Sequence, residues 1–333
     1  LWLARLDADC AARRKAPGIT KDEKKAVKAK TQRRKKGVVA LVLVTNFLVL
    51  GYFKYWSYFV RLLAGAVAAT APSALGLVMP LGISFYTFQA IGYLIDCFRG
   101  RHPAEKNPAR FLLFISFFPQ LIQGPINRYG AMESQLTAAH SWEWERTKRA
   151  LFVILFGAMK KYAIANLTAP TIAAILDRND PTLAGSMALL AILLYSLQQY
   201  ADFSGGIDLV TGIAQLFGIQ LAPNFKRPYF SVSLGDFWRR WHISLGAWMR
   251  DYVFYPFALT RPVSRMSKAL KKKAGTHIAR ALPAALGNIL VFLLVGVWHG
   301  AQMNYVLWGL YNGVILAFTA LVEPCLLYTS PSP

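Results

Sequence analysis

Five histidines are the residues most able to move protons near neutral pH, and their settings differ. His102, His140 and His277 lie in polar connecting stretches and read as solvated loop residues. His299 lies in LLVGVWHGAQMNYVLWGLYNG, where an ionisable side chain is costly and therefore a functional-site candidate. Gly296 and Gly300 flank it and remove bulk, so a substrate or another helix backbone can come close. A plainer role, an imidazole hydrogen-bonded between helices, stands beside that reading. His242 lies in DFWRRWHISLGAWMRDYVFYP, where Trp238, Trp241, Trp248, Tyr252 and Tyr255 alternate with Arg239, Arg240 and Arg250. That pattern fits an interfacial aromatic belt with snorkelling arginines. It equally fits an Arg pair gripping a phosphorylated or thioester-bearing donor.

Asp202, Ser204 and Asp208 fall in SLQQYADFSGGIDLVTG, and two acids in an apolar stretch need partners. No G-x-S-x-G elbow surrounds Ser204, so Gly205 and Gly206 indicate a helix break or close packing, and the acids are expected to pair with an arginine. Cys10, Cys97 and Cys325 have no metal-ligand or CxxC spacing, so neither a metal nor a disulfide framework is expected. HExxH, P-loop and acidic-partnered GxGxxG patterns are absent, which removes support for zinc hydrolysis, nucleotide hydrolysis and hydride transfer.

The elements that must position these residues are membrane helices. Of the 333 residues, 55% are hydrophobic and 16% charged, and the mean hydropathy is +0.34. A span needs about 20 apolar residues. Apolar segments occur near 38–53, 56–71, 74–98, 111–126, 149–166, 183–200, 203–222, 285–300 and 302–322. Several are short, and 111–126 holds Pro119, Gly124 and Pro125, so broken or re-entrant helices lining a cavity are expected. Residues 223–260 are amphipathic and read as short helices at the interface. The net charge of +22 sits in blocks before apolar runs, which argues for a cytoplasmic face and against nucleic acid. Residues 1–36 thus read as a basic cytoplasmic arm. The stretch from Arg261 to Arg280 is a second basic block expected on the same side. The tail after Cys325, within 323–333, reads as non-native, and the opening Leu1 suggests that the start of the native protein is missing.

The carriers PLGISFYTFQAIGYLIDCFRG, FISFFPQLIQGPINRY, YADFSGGIDLVTGIAQLFGI, PNFKRPYFSVSLGDFWRRWHISLGAWMRDYVFYP and VGVWHGAQMNYVLWGLYNG resemble the membrane-bound O-acyltransferase family over roughly 40–322. The likeness is to its bacterial polysaccharide-modifying branch. WRRWHISL and VWHGA are most similar to alginate O-acetylation proteins, with teichoic-acid D-alanyl transferases as cousins.

The resemblance implies an all-α, polytopic transmembrane bundle around a central tunnel, truncated at both ends, with 37–322 as the catalytic domain. It places the catalytic histidine at His299 and the second characteristic histidine at His242. Trp238, Arg239, Arg240, Trp241, Trp298 and Asp202 are expected to bind donor or substrate. It implies a multi-pass protein of a bacterial inner membrane that binds no cofactor. The acyl donor, acetyl-CoA or an acyl-carrier thioester, arrives from the cytoplasm as a substrate. The acceptor is a polysaccharide or teichoic-acid-like hydroxyl outside, and an extracytoplasmic acyltransferase is the expected partner. In that setting His299, uncharged among apolar helices, would take the acceptor proton, while His242 steadies the oxyanion or orients the donor. The rival class is a transporter or flippase, since broken helices with a midplane ionisable group serve both, but no inverted repeat is visible. A non-catalytic envelope scaffold is the third reading.

Overall fold

In a computed structural model of the chain, residues 1–64, 80–176 and 184–329 are described, and every regular element among them is helical. Two compact units are formed, one from 1–41 with 80–226 and the other from 42–79 with 227–333. The expected apolar segment 56–71 and the start of 74–98 fall partly outside the described residues, as does the end of the tail at 330–333.

The first unit opens with α1 (Trp2–Arg14) and the amino-terminal part of α2 (Lys21–Ala64). Thr20 and Glu23 start α2 by a reciprocal cap, in which the Glu23 N–H donates to Thr20 Oγ1 and the Thr20 N–H donates to Glu23 Oε2 at 2.8 Å. The buried Lys35 ammonium meets Asp7 at 2.7 Å and ties α1 back onto α2. The basic arm of residues 1–36 is therefore helical, and no break separates residue 36 from the apolar run. Asn107 caps α4 (Pro108–Ser116), its Oδ1 accepting from the Ala109 N–H at 2.9 Å. Pro119 lacks the N–H that would continue that helix, so the chain turns at Phe117 into the four-residue α5 (Phe118–Leu121). This is the broken element expected over 111–126. Phe114, Phe117, Tyr129, Met132, Ala214 and Ile219 form a core with Tyr93 of α3 (Ile83–Arg99) and Phe111 of α4, Tyr129 and Met132 coming from α6 (Tyr129–Thr137).

Helix α7 (Trp144–Ala158) passes through a π-helical turn, Met159–Ala165, into α8 (Asn166–Leu176). Against it packs α9 (Gly185–Leu216), a single helix of 32 residues where two apolar segments, 183–200 and 203–222, were expected. Gly205 and Gly206 do not break it. A Cβ on Gly157 would lie 2.7 Å from the Gly205 carbonyl oxygen, and one on Gly205 would lie 2.8 Å from that of Gly157. The glycines thus serve backbone contact between helices.

The second unit holds the rest of α2, a 3-10 turn at Pro228–Phe230, and a run of short helices: α10 (Leu234–Arg240), α11 (Ile243–Met249) and α12 (Tyr255–Ala258). These match the expectation for 223–260. Two long helices follow, α13 (Arg261–His299) and α14 (Met303–Thr329), of which α13 is interrupted at Gly275, with φ 85°. The basic block up to Lys273 is thereby set off from the apolar stretch. His277, expected in a loop, is helical and its Nε2 sits 2.9 Å from the Leu321 carbonyl oxygen of α14.

Among the described residues, four helices are long and apolar enough to cross a membrane: Lys21–Trp56, Trp144–Leu176, Arg261–His299 and Met303–Val322. Their outward faces agree, since Leu41, Val44 and Leu48 on α2 and Leu151, Phe152 and Leu155 on α7 are exposed, which favours lipid over water. The protein is an all-α membrane protein.

Candidate active site

Helix α13 ends on His299. Gly300 takes an extended conformation, its N–H bonds the Gly296 carbonyl at 3.3 Å, and the chain turns at once into α14. The turn is tight because a Cβ on Gly296 would run into the Tyr305 carbonyl and the Gly309 backbone. The helix backbone that Gly296 was expected to admit is therefore that of α14. Aromatic rings surround the His299 imidazole: Trp298 edge-on at 4.8 Å, Trp308 edge-on at 5.4 Å and Tyr305 stacked at 6.2 Å between centroids. Among the described residues no hydrogen bond engages its ring nitrogens. Ending a helix at a turn leaves one side of the ring exposed, while the aromatic rings cover the other. An uncommitted imidazole walled by aromatics can accept a proton from a hydroxyl brought to its open side.

His242 joins α10 to α11 and is 6% exposed. Its φ of 46° lies in the left-handed region, a conformation that costs a non-glycine residue energy and clusters at functional sites. Burial pushes its imidazole well below the usual histidine range, and the His299 ring adds to the effect. Its ring lies 6.2 Å from that of Trp298, so one indole borders both histidines.

The remaining expected ligands have partners of their own. Trp238 packs edge-on against Phe292 at 5.0 Å and Trp308 at 5.7 Å, and its buried Nε1 has no hydrogen-bond partner among the described residues. Trp241 stacks on Phe237 at 5.6 Å, facing its own short helices. Asp236, at the start of α10, holds Arg240 at 2.9 Å and Arg239 at 3.6 Å. Arg240 is thus committed to its own helix, whereas Arg239, with 72% of its side chain exposed, retains donors for an anion. Asp202 belongs to the other unit, where it pairs with Lys161 at 2.5 Å. Asp208 pairs with Lys160 at 2.5 Å, and Lys160 also donates to Ser204 Oγ at 2.9 Å. The expected arginine partners are lysines, presented together by the π-helical turn, and Ser204 is a buried acceptor. His102 is likewise no solvated loop residue, for its nitrogens lie 2.7 Å from the Pro103 carbonyl and 2.9 Å from Glu133.

The sequence model of the membrane-bound O-acyltransferase family matches residues 99–327, well over half of the chain and both histidine segments. The chain belongs to this family. Among membrane-bound O-acyltransferase relatives, it is 34% identical to the probable alginate O-acetylase AlgI of Azotobacter vinelandii, with 84% of this chain and 52% of that protein covered. It is 33% identical to a peptidoglycan O-acetyltransferase of Helicobacter pylori, with 83% and 54% covered. It is 29% identical to a teichoic acid D-alanyltransferase of Bacillus subtilis, with 84% and 74% covered. The chain spans about half the length of the first two.

Two residues beside the His299 helix end went unmarked in the sequence. The Lys54 ammonium donates to the Trp298 carbonyl and lies 5.1 Å from the centre of the Trp298 ring, while Tyr55 Oη donates to the Val297 carbonyl at 2.6 Å. The apolar run was read as ending at residue 53. A lysine just beyond it looks like an ordinary flanking cation, although any lysine at a helix's apolar end has to find a partner.

Proposed function

We propose that the protein is a membrane O-acyltransferase that moves an acetyl group from a thioester donor on the cytoplasmic side to hydroxyls of a polysaccharide outside a bacterial inner membrane. The observation that carries this reading is His299: an imidazole at a helix end, walled by aromatic rings, with both nitrogens uncommitted among the described residues. An alcohol is a poor nucleophile until its proton is being removed. His299 takes that proton as the acceptor oxygen attacks the thioester carbonyl. The C–S bond breaks as the ester forms, and the proton passes to the departing thiolate. His242, held neutral, offers an N–H that steadies the carbonyl oxygen as charge gathers on it. Arg239, exposed and with donors left over, would meet the phosphates of a nucleotide-bearing donor.

Donor and acceptor would reach His299 from opposite faces of the membrane, past the short helices α10 and α11 of the same unit. An extracytoplasmic acyltransferase working with the protein belongs to the same reading. The test is mass spectrometry of envelope polysaccharide from cells with and without the intact gene. An acetyl ester present only with the gene supports the reading, and no difference rejects it. A second reading, D-alanyl transfer to teichoic acid, is favoured by the 74% coverage of the Bacillus subtilis relative, and an alanyl ester in the same experiment would select it.

A further inference from the structure

We propose that Lys54 is a positioning residue for His299, acting with Tyr55 to cap the carboxyl end of α13 and fix the direction in which the imidazole leaves it. The inference rests on the acyl-transfer reading above. The last carbonyls of a helix have no partners within it and carry its negative dipole end, so a cation there is favourable. At the end of α13 three are engaged in succession: Gly296 O by the Gly300 N–H, Val297 O by the Tyr55 hydroxyl and Trp298 O by the Lys54 ammonium. Both side-chain donors come from consecutive residues of α2. The ammonium also lies over the Trp298 indole, at 5.1 Å, and that indole borders the His299 ring at 4.8 Å and the His242 ring at 6.2 Å. A lysine is expensive at the end of an apolar helix unless it is engaged, and this one grips the residue between two histidines. Loss of the grip would leave both histidines in the chain but free the helix end that carries His299, and displacement by about 1 Å can lower a rate on the order of a hundredfold.

The experiment uses membrane vesicles containing the full-length protein, with radiolabelled acetyl-CoA as donor and base-labile label in polysaccharide as the readout. Wild type is compared with His299→Ala, Lys54→Met, Lys54→Arg and Tyr55→Phe, each normalised to inserted protein. Lys54→Met should lower kcat roughly tenfold to a hundredfold with KM for acetyl-CoA little changed. Lys54→Arg, which keeps a cation and donors, should recover most of the rate, and Tyr55→Phe should show a smaller loss of kcat. Wild-type kcat in Lys54→Met, or a change confined to KM, overturns the proposal. Should Lys54→Met fail to insert, Tyr55→Phe decides, a lowered kcat supporting the cap and an unchanged one overturning it. If wild type incorporates no more label than His299→Ala, the acyl-transfer reading itself fails and the inference falls with it. A failure confined to the Lys54 and Tyr55 variants leaves that reading standing.

Discussion

His299 and His242 are both imidazoles in an aromatic setting, yet their surroundings assign them different work. His299, exposed at a helix end, is open to a hydroxyl. Replacing it by alanine should lower acyl transfer by about 10²–10⁴-fold, the usual contribution of a general base, while the amount of inserted protein stays the same. Label incorporation per inserted molecule measures this. His242 is buried and held neutral, with a folded-state affinity for protons far below that of the unfolded chain, where histidine titrates near 6.5. As pH falls below about 6.5 the unfolded chain binds a proton that the folded one refuses, so stability declines with acidification and is unaffected above that value. Melting temperatures of detergent-solubilised protein should fall between about pH 6.5 and 4, and His242→Gln should flatten that slope. Both histidines were legible as candidates from their neighbours in sequence. Lys54 was not, because its meaning depends on Trp298, a residue 244 positions away.

At the level of elements, glycines and paired charges decide how the helices approach. The α13–α14 hairpin closes on Gly296 and Gly309, whose missing side chains let the two backbones touch. Gly296→Val should cost about 1–3 kcal/mol by overpacking and loosen the His299 turn, measurable as a lowered melting temperature together with reduced transfer. Between α7 and α9, Lys160 is 8% exposed and depends on Asp208 and Ser204. Asp208→Leu strands a buried ammonium and should destabilise the protein by about 3–5 kcal/mol. The double change Lys160→Met with Asp208→Leu should recover much of that loss, and denaturation of the three proteins side by side checks the coupling. The sequence marked Gly205, Gly206 and the two acids as needing partners. It left Gly205 and Gly206 as a break or close packing, and the structure selects close packing, because a helix packed against α7 tolerates glycine that an isolated helix would not. The arm went the same way. Its charges marked a basic arm without showing its form, and a cap at Thr20 and the Asp7–Lys35 pair fold it into helices.

For the whole molecule, the envelope ester remains the decisive observable, since it reports the combined work of donor, acceptor and site. Cells carrying the intact gene with His299→Ala should lack that ester while retaining the protein in their membranes, as mass spectrometry and membrane fractionation would show. Sequence alone determined the class: apolar length sets membrane helices, charge blocks set off their ends, and VWHGA with WRRWHISL marks the family. These are local properties, written in residues that are neighbours along the chain. Tertiary structure decided what local pattern cannot carry. It made one helix of two segments, gave the acids of α9 lysines for partners, placed His299 at an open helix end, and brought Lys54 to the carbonyl beside it. Each of those outcomes depends on which distant backbone or side chain arrives to satisfy a polar group at membrane depth, and only folding settles that arrival.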